Sequence, residues 1–214
     1  MTHDHHSHQG EEHTGHEQFG KDYWEAHWTE PGGDAAVVPA HPALEEEIAG
    51  LAPGTALDAG SGEGAEAAWL ATHGWSVTAV DLSAEALGRA AARAPEADIT
   101  WIEADLTEWQ PEGTFDLVTT FYAHPTIPQL AFYARISRWV APGGTLLIVG
   151  HRHGHGHGAH EHPEEAVTSA DAVQALLDPA QWRIDTAVER GRTAISRHGD
   201  PVQLQDVVVR AVRR

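Results

Sequence analysis

Thr55-Ala56-Leu57-Asp58-Ala59-Gly60-Ser61-Gly62-Glu63-Gly64 is the stretch on which the reading of the fold turns. Thr55 to Ala59 has the length and apolar character of a short buried strand, and Glu63 to His73 reads as an alanine-rich helix. Between them three glycines let the backbone turn tightly and come close to a ligand without a Cβ in the way. From here a regular alternation runs on. Ser76 to Val80 is a predicted strand and Ser83 to Ala94 a helix with Ser83 as N-cap. Ile99 to Glu103 and Phe115 to Phe121 are strands, Thr126 to Val140 a helix closed by Ala141-Pro142-Gly143-Gly144, and Thr145 to Val149 a fifth strand. Strands alternating with helices predict a doubly wound parallel sheet covered on both faces.

The ending breaks this rhythm. After a helix at Ala170 to Leu177 come Trp182 to Val188 and Asp206 to Val212, both strand-like, with no helical pattern between them. A crossover to a parallel strand needs a dozen or more residues, usually helical. The expected fold is therefore α/β, with a mostly parallel seven-stranded sheet and a C-terminal antiparallel hairpin. On the other side of the core, Phe19 to Trp28 predicts a short aromatic helix, broken by Pro31-Gly32-Gly33, and Pro42 to Leu51 a second helix. Residues 1–18 hold six histidines, four acids and no aliphatic residue beyond Met1, so a disordered histidine-rich tail is expected there.

The 214 residues suit one domain, residues 19–214, which can bury roughly 70% of the surface its unfolded chain exposes. There is no cysteine, which excludes disulfides, thiolate metal sites and cysteine nucleophiles. The formal charge of −19 repels phosphate backbones and anionic lipid, so neither nucleic acid nor membrane is an expected partner. No apolar run approaches the roughly 20 residues that cross a bilayer, and the N-terminus lacks the basic and apolar regions of a signal peptide. A cytoplasmic protein is expected.

In a doubly wound sheet, ligands bind at the carboxyl ends of the strands where the strand order reverses. The glycine turn lies at such an end. Asp81 closes the second strand, where a carboxylate can accept hydrogen bonds from both hydroxyls of a ribose. Gly60-x-Gly62-x-x-Ala65 also satisfies the looser dinucleotide fingerprint, so NAD stays open on these features alone. Three others weigh against a pyrophosphate. Asp58 precedes the glycines, where it suits a cationic amino group. Glu63 at the helix start adds a second like charge. Asp105-Leu106 offers a carboxylate and an apolar face to an adenine ring. A Tyr-x-x-x-Lys reductase pair cannot occur, since Lys21 is the sole lysine and Glu17 precedes it by four.

The segments ALDAGSGEGAEAAWLA (56–71), VTAVDLS (77–83), ITWIEADL (99–106), FDLVTTFYAHP (115–125) and APGGTLLIVG (141–150) resemble, in this order and spacing, the class I S-adenosylmethionine-dependent methyltransferases. The resemblance covers nearly all of residues 19–214. It implies that Asp58, Gly60 and Gly62 hold the methionine part of S-adenosylmethionine, and that Asp81 takes the ribose hydroxyls with Leu82 against adenine. Asp105 would accept the adenine amino group with Leu106 beside the ring, and Thr120 and Phe121 would lie near the sulfonium. FGKDYWEAHW (19–28) is similar to the N-terminal helix of the small thiopurine and tellurite-resistance methyltransferases, in which aromatics before the core cover the cofactor. Trp24 and Trp28 are the lid residues this implies, with 19–52 forming the lid helices, and a ring face attracts a sulfonium by cation–π contact.

Methyl transfer from a sulfonium is an in-line displacement, for which an enzyme mostly supplies proximity and alignment. A base is needed only where the acceptor must lose a proton. His124 and Tyr122 follow the fourth strand on the expected acceptor side, and His124 is the first candidate base. The expected acceptor is a small molecule. A second feature points elsewhere. His151, His153, His155, His157, His160 and His162 follow the fifth strand in a His/Gly-rich loop (151–167), and with the tail they make twelve of the 17 histidines. Imidazole suits zinc, nickel, cobalt or copper(II). A metal-binding or metal-responsive protein on a methyltransferase-like fold is the alternative expectation.

Overall fold

Seven strands form one sheet in the order β3-β2-β1-β4-β5-β7-β6 in the computed structural model, which describes residues 19–29, 39–152, 168–195 and 201–214. In chain order the elements are α1 (Lys21–Thr29), α2 (Pro42–Ile48), β1 (Thr55–Ala59), α3 (Ala65–Thr72), β2 (Ser76–Asp81), α4 (Ala84–Arg93) and β3 (Ile99–Glu103). There follow β4 (Phe115–Phe121), α5 (Gln129–Ser137), β5 (Val140–His151), α6 (Ala170–Leu176), β6 (Trp182–Ile195) and β7 (Pro201–Arg213). β1 to β5 are parallel to one another; β7 is antiparallel to β5 and to β6. The doubly wound, seven-stranded sheet with a C-terminal antiparallel hairpin is therefore the fold adopted.

The alternation of side chains along each strand divides the core in two. Leu57, Val118, Leu146, Ile148 and Val209 face Phe132, Ile136 and Val173 of α5 and α6. Ala56, Leu117, Leu147, Val149 and Val208 face Ala43, Leu44 and Ile48 of α2 and Ala67 and Leu70 of α3. Strands buried on both faces read as the near-continuous apolar runs seen in the sequence. Of the two helices before β1, α2 is thus a core element, and α1 alone lies over the carboxyl ends of the strands.

Two boundaries differ from the sequence reading. Ala141-Pro142-Gly143-Gly144 belongs to the start of β5, with Val140 paired to Phe115 across a register shift and Gly143 at φ 79°. The hairpin is longer than expected, because Arg190 to Thr193 and Gln203 to Asp206 pair with each other past the predicted strand ends. The expected tail at 1–18 and the Pro31-Gly32-Gly33 break lie outside the described residues. Among the described residues no helix is long and apolar enough to cross a membrane.

Candidate functional site

The strand order reverses between β1 and β4, so a crevice opens where both strands end. The glycine turn forms its floor. Gly60, Gly62 and Gly64 all have positive φ, at 81°, 50° and 74°. The turn curls back onto β2, with Gly60 and Ser61 N–H both donating to the Val80 carbonyl. A Cβ on Gly60 would lie 2.4 Å from that of Ala123, after β4, so this position requires glycine on two counts.

Asp58 is 1% exposed. Its Oδ1 accepts from the Thr119 hydroxyl at 3.2 Å, and its Oδ2 has no hydrogen-bond partner. Burial is the main reason its carboxyl titrates well above the usual carboxylate range; the charges of Glu66 and Asp81 add to this. Two more buried hydroxyls at this edge, Ser61 Oγ and Thr120 Oγ1, also lack partners. Buried polar atoms normally have partners, and each exception asks for an explanation. A bound group carrying an ammonium and several polar atoms supplies one, so these residues fit the cofactor that the resemblance implies.

Asp81 is held from two sides. Its Oδ2 accepts from Gly62 N–H at 2.8 Å and its Oδ1 from Ser83 N–H at 2.9 Å. Burial raises its carboxyl in spite of these bonds. Leu82 follows it, half-buried. Asp105 Oδ1 accepts from Thr107 N–H at 2.8 Å, which closes a turn after β3. Arg135 of α5 secures that turn by donating to the carbonyls of Leu106 and Trp109. Leu106 itself is buried in the core shared with α5. Glu63 pairs with Arg93 and Arg89 of α4. Despite burial, which raises it, those arginines hold its carboxyl below the usual range. Its charge is therefore met by α4, which removes the sequence argument that it would repel a pyrophosphate.

Helix α1 covers this floor. A Cβ on Gly62 would meet the Trp28 ring at 3.2 Å. Glu25 caps the start of α4, accepting from Ser83 Oγ at 3.1 Å and from Ala84 N–H at 2.9 Å. Lys21 pairs with Glu103 at the end of β3. Phe19 is buried, and Trp24 lies parallel to His124 with centroids 6.3 Å apart. His124 in turn stacks on His151 at 5.4 Å, and His151 meets Tyr122 at 4.5 Å. A column of rings thus runs from α1 to the ends of β4 and β5.

Beside that column lies a polar network the sequence reading missed. Asp206 is fully buried. It faces His151 across the β5–β7 pair, and Arg192 reaches it diagonally from β6. Its Oδ1 accepts from the Tyr122 hydroxyl at 2.6 Å and its Oδ2 from Arg192 Nε at 2.7 Å. His41 caps α2, its Nδ1 accepting from Ala43 N–H, which places the ring proton on Nε2. That nitrogen lies 3.2 Å from both Asp206 Oδ2 and the Tyr122 hydroxyl. Burial pushes the Asp206 carboxyl up, yet the bonds from His41 and Tyr122 and the Arg192 charge bring it down to about 2. Tyr122 stands at φ 54°, a left-handed conformation rare for a non-glycine residue, and burial followed by Asp206 raises its hydroxyl. The residues that reading singled out after β4 are thus split. Phe121 packs with the α2 side of the core, His124 joins the ring column, and the Tyr122 hydroxyl turns into the network. A lone acid heading the valine run 207–209 was the available signal for Asp206; Arg192 and His41 carried none.

The proposed metal ligands are only partly within the described residues: His151 is in the ring column, and His153, His155, His157, His160 and His162 lie outside. Among the described residues no group of three or more histidines and carboxylates could hold a metal ion.

Comparison with known proteins agrees with the geometry. Residues 56–144 match the family model described as a methyltransferase domain. Uncharacterized methyltransferases of Mycobacterium bovis and Mycobacterium tuberculosis are 38% identical over 109 residues, 50% of this chain and 55% of theirs. The match thus spans about half the length of these curated relatives. Three solved structures share the fold. One, from the conversion of a disulfide bond into a thioacetal group during echinomycin biosynthesis, has a TM-score of 0.69 at 24% identity, covering 90% of this chain and 92% of that one. TehB from Haemophilus influenzae has a TM-score of 0.65 at 14% identity (91% and 67%). Magnesium protoporphyrin IX methyltransferase from Synechocystis, with bound S-adenosylhomocysteine, has 0.64 at 18% (91% and 98%).

Proposed function

We propose that this chain is a class I S-adenosylmethionine-dependent methyltransferase that transfers the methyl group of that cofactor to a small-molecule acceptor. The observation that carries the reading is Asp58: a buried carboxylate with one oxygen unpartnered, beside three positive-φ glycines at the strand-order reversal. Such a corner is costly unless a cationic group completes it.

When bound, S-adenosylmethionine supplies a methyl group on a sulfonium leaving group. The chain's part is to hold, align and enclose. Asp58, Gly60 and Gly62 are assigned to the amino-acid end, and Asp81, pre-set by Gly62 and Ser83 N–H, to the ribose hydroxyls. Leu82, Asp105 and Leu106 are assigned to adenine, and Thr120 and Phe121 to the neighbourhood of the methyl group. Trp24 and Trp28 of α1 exclude water and present ring faces to a cation. On the acceptor side His124 is assigned as the base for acceptors that must lose a proton. The Tyr122 hydroxyl is committed to Asp206, so Tyr122 positions the loop that carries His124.

Three features support a small acceptor. The parallel core carries no inserted domain among the described residues, the net charge of −19 opposes nucleic acid, and the ring-lined mouth suits a compact organic molecule. The test is calorimetric titration with S-adenosylhomocysteine in wild type and Asp81→Ala. The expected result is binding that the substitution weakens at least about tenfold, or about 1.4 kcal/mol. A wild type that does not bind would sink the assignment.

A further inference from the structure

Glu66 stands in the first turn of α3, two residues after Gly64. Its Oε1 accepts from the main-chain N–H of His41 at 2.9 Å, which ties the carboxylate to the start of α2, and its charge reaches Asp58 at the end of β1. We propose that Glu66 and Asp58 together seat the ammonium of the cofactor's amino-acid end, and that seating it expels a proton held by the pair. The inference rests on the function proposed above and adds to it a binding residue and a proton.

Around the pair the structure supplies carboxylates and little cationic charge. Asp81 comes from β2, Thr119 donates from β4, and the His41 main chain donates from the start of α2. The His41 ring is turned away to Asp206 and Tyr122, whose cation is Arg192. Glu25 of α1 is an added negative group beside Asp81. Asp58 is buried and Glu66 half-buried, and two neighbouring carboxyls do not both ionise cheaply there, so the pair is disposed to hold a proton. Burial raises both carboxyls, and for Asp58 the Glu66 charge is the next cause. An arriving ammonium reverses this: the charged form of both groups is then favoured, and the proton leaves to solvent. No bond other than that O–H is broken.

The test is calorimetry on the full chain in buffers of different ionisation enthalpy. S-adenosylhomocysteine is compared with 5′-methylthioadenosine, which keeps the nucleoside and lacks the amino-acid end. Wild type should release about one proton on binding the first and none on binding the second. Its affinity for the first should weaken as pH falls, approaching about tenfold per pH unit where the full proton is expelled. Glu66→Gln should lessen the proton release and weaken S-adenosylhomocysteine at least about tenfold, about 1.4 kcal/mol, while leaving 5′-methylthioadenosine unchanged. Glu66→Asp should restore part of both effects. Binding of S-adenosylhomocysteine with no buffer dependence overturns the inference and leaves the methyltransferase reading intact; the wild-type comparison alone decides this if the variants fail to fold. Equal loss of both ligands in Glu66→Gln also overturns it, as a purely structural role. Absence of S-adenosylhomocysteine binding in the wild type overturns both.

Discussion

Asp206→Asn removes one charge and no volume from the network of His41, Tyr122 and Arg192. In the fold the Asp206 carboxyl titrates at about 2, against an ordinary 3.8. At about 1.4 kcal/mol per tenfold change in proton affinity, that difference stabilises the fold by about 2 kcal/mol at neutral pH. The folded value is the lower one, so this stability is complete above the ordinary value and fades as pH falls from about 4 toward 2; about half remains at pH 3. The asparagine also turns one amide N–H₂ toward donors, either Tyr122 or Arg192, which raises the total to about 2–4 kcal/mol. For a chain of this size that is a fall in Tm of about 5–15 °C. The assay is urea denaturation of wild type and variant at pH 7 and pH 3. The raised carboxyls of Asp58 and Glu66 also make stability depend on pH, but they are common to both proteins and cancel in the difference. A gap below about 0.5 kcal/mol at pH 7, or one equally large at pH 3, would mean that the bonds to Asp206 do not hold an ionised carboxylate.

Gly60→Ala forces a side chain into a left-handed residue and against Ala123 at 2.4 Å. It should cost about 1–2 kcal/mol of stability from the backbone alone and weaken S-adenosylhomocysteine more than about tenfold, both read by melting and calorimetry. Trp28→Ala uncovers Gly62 without opening the core, so stopped-flow release of S-adenosylhomocysteine should quicken by about three- to tenfold while the melting temperature moves little. Unchanged release would remove Trp28 from the lid. Treatment with a chelator should leave S-adenosylhomocysteine affinity unaltered, since the cofactor corner contains no metal ligand set among the described residues; a loss of binding would reinstate a role for metal.

The parallel core was readable because its causes are local. Leu57, Val118, Leu147 and Val209 lie in short apolar runs, α4 buries one face through Ala86, Leu87 and Ala90, and Ser83 does cap α4, accepting from Ala86 N–H. The reversed last strand was readable from the length of the connection. The extent of the hairpin was not, because Gly191 to Thr193 and Gln203 to Gln205 have no core to face and are held by each other's backbone. Polar residues paired in a two-stranded ribbon look, in sequence, like a loop. The same holds for Ala141 to Gly144, where proline and glycines sit in an irregular strand start.

The site divides along a similar line. Asp58, the glycines and Asp81 stand within one βαβ unit, where a single strand–turn–helix fixes their relative places. Tyr122 and Asp206 are 84 positions apart. Their meeting depends on β7 returning antiparallel beside β5, which sets Asp206 opposite His151. It depends also on the left-handed turn at Tyr122, which sends a residue following a buried strand to that edge. Neither event leaves a periodic trace in sequence. A tyrosine after β4 therefore reads as a candidate catalytic residue, whereas the hydrogen bond it makes commits its hydroxyl to a buried carboxylate. The end of β4 in consequence rests on four linked groups, with His124 and His151 stacked beside them, and the acceptor side proposed for this face would share that base. Variation among acceptors in proteins built this way should then fall on the ring column and on α1 before it touches His41, Tyr122, Arg192 or Asp206.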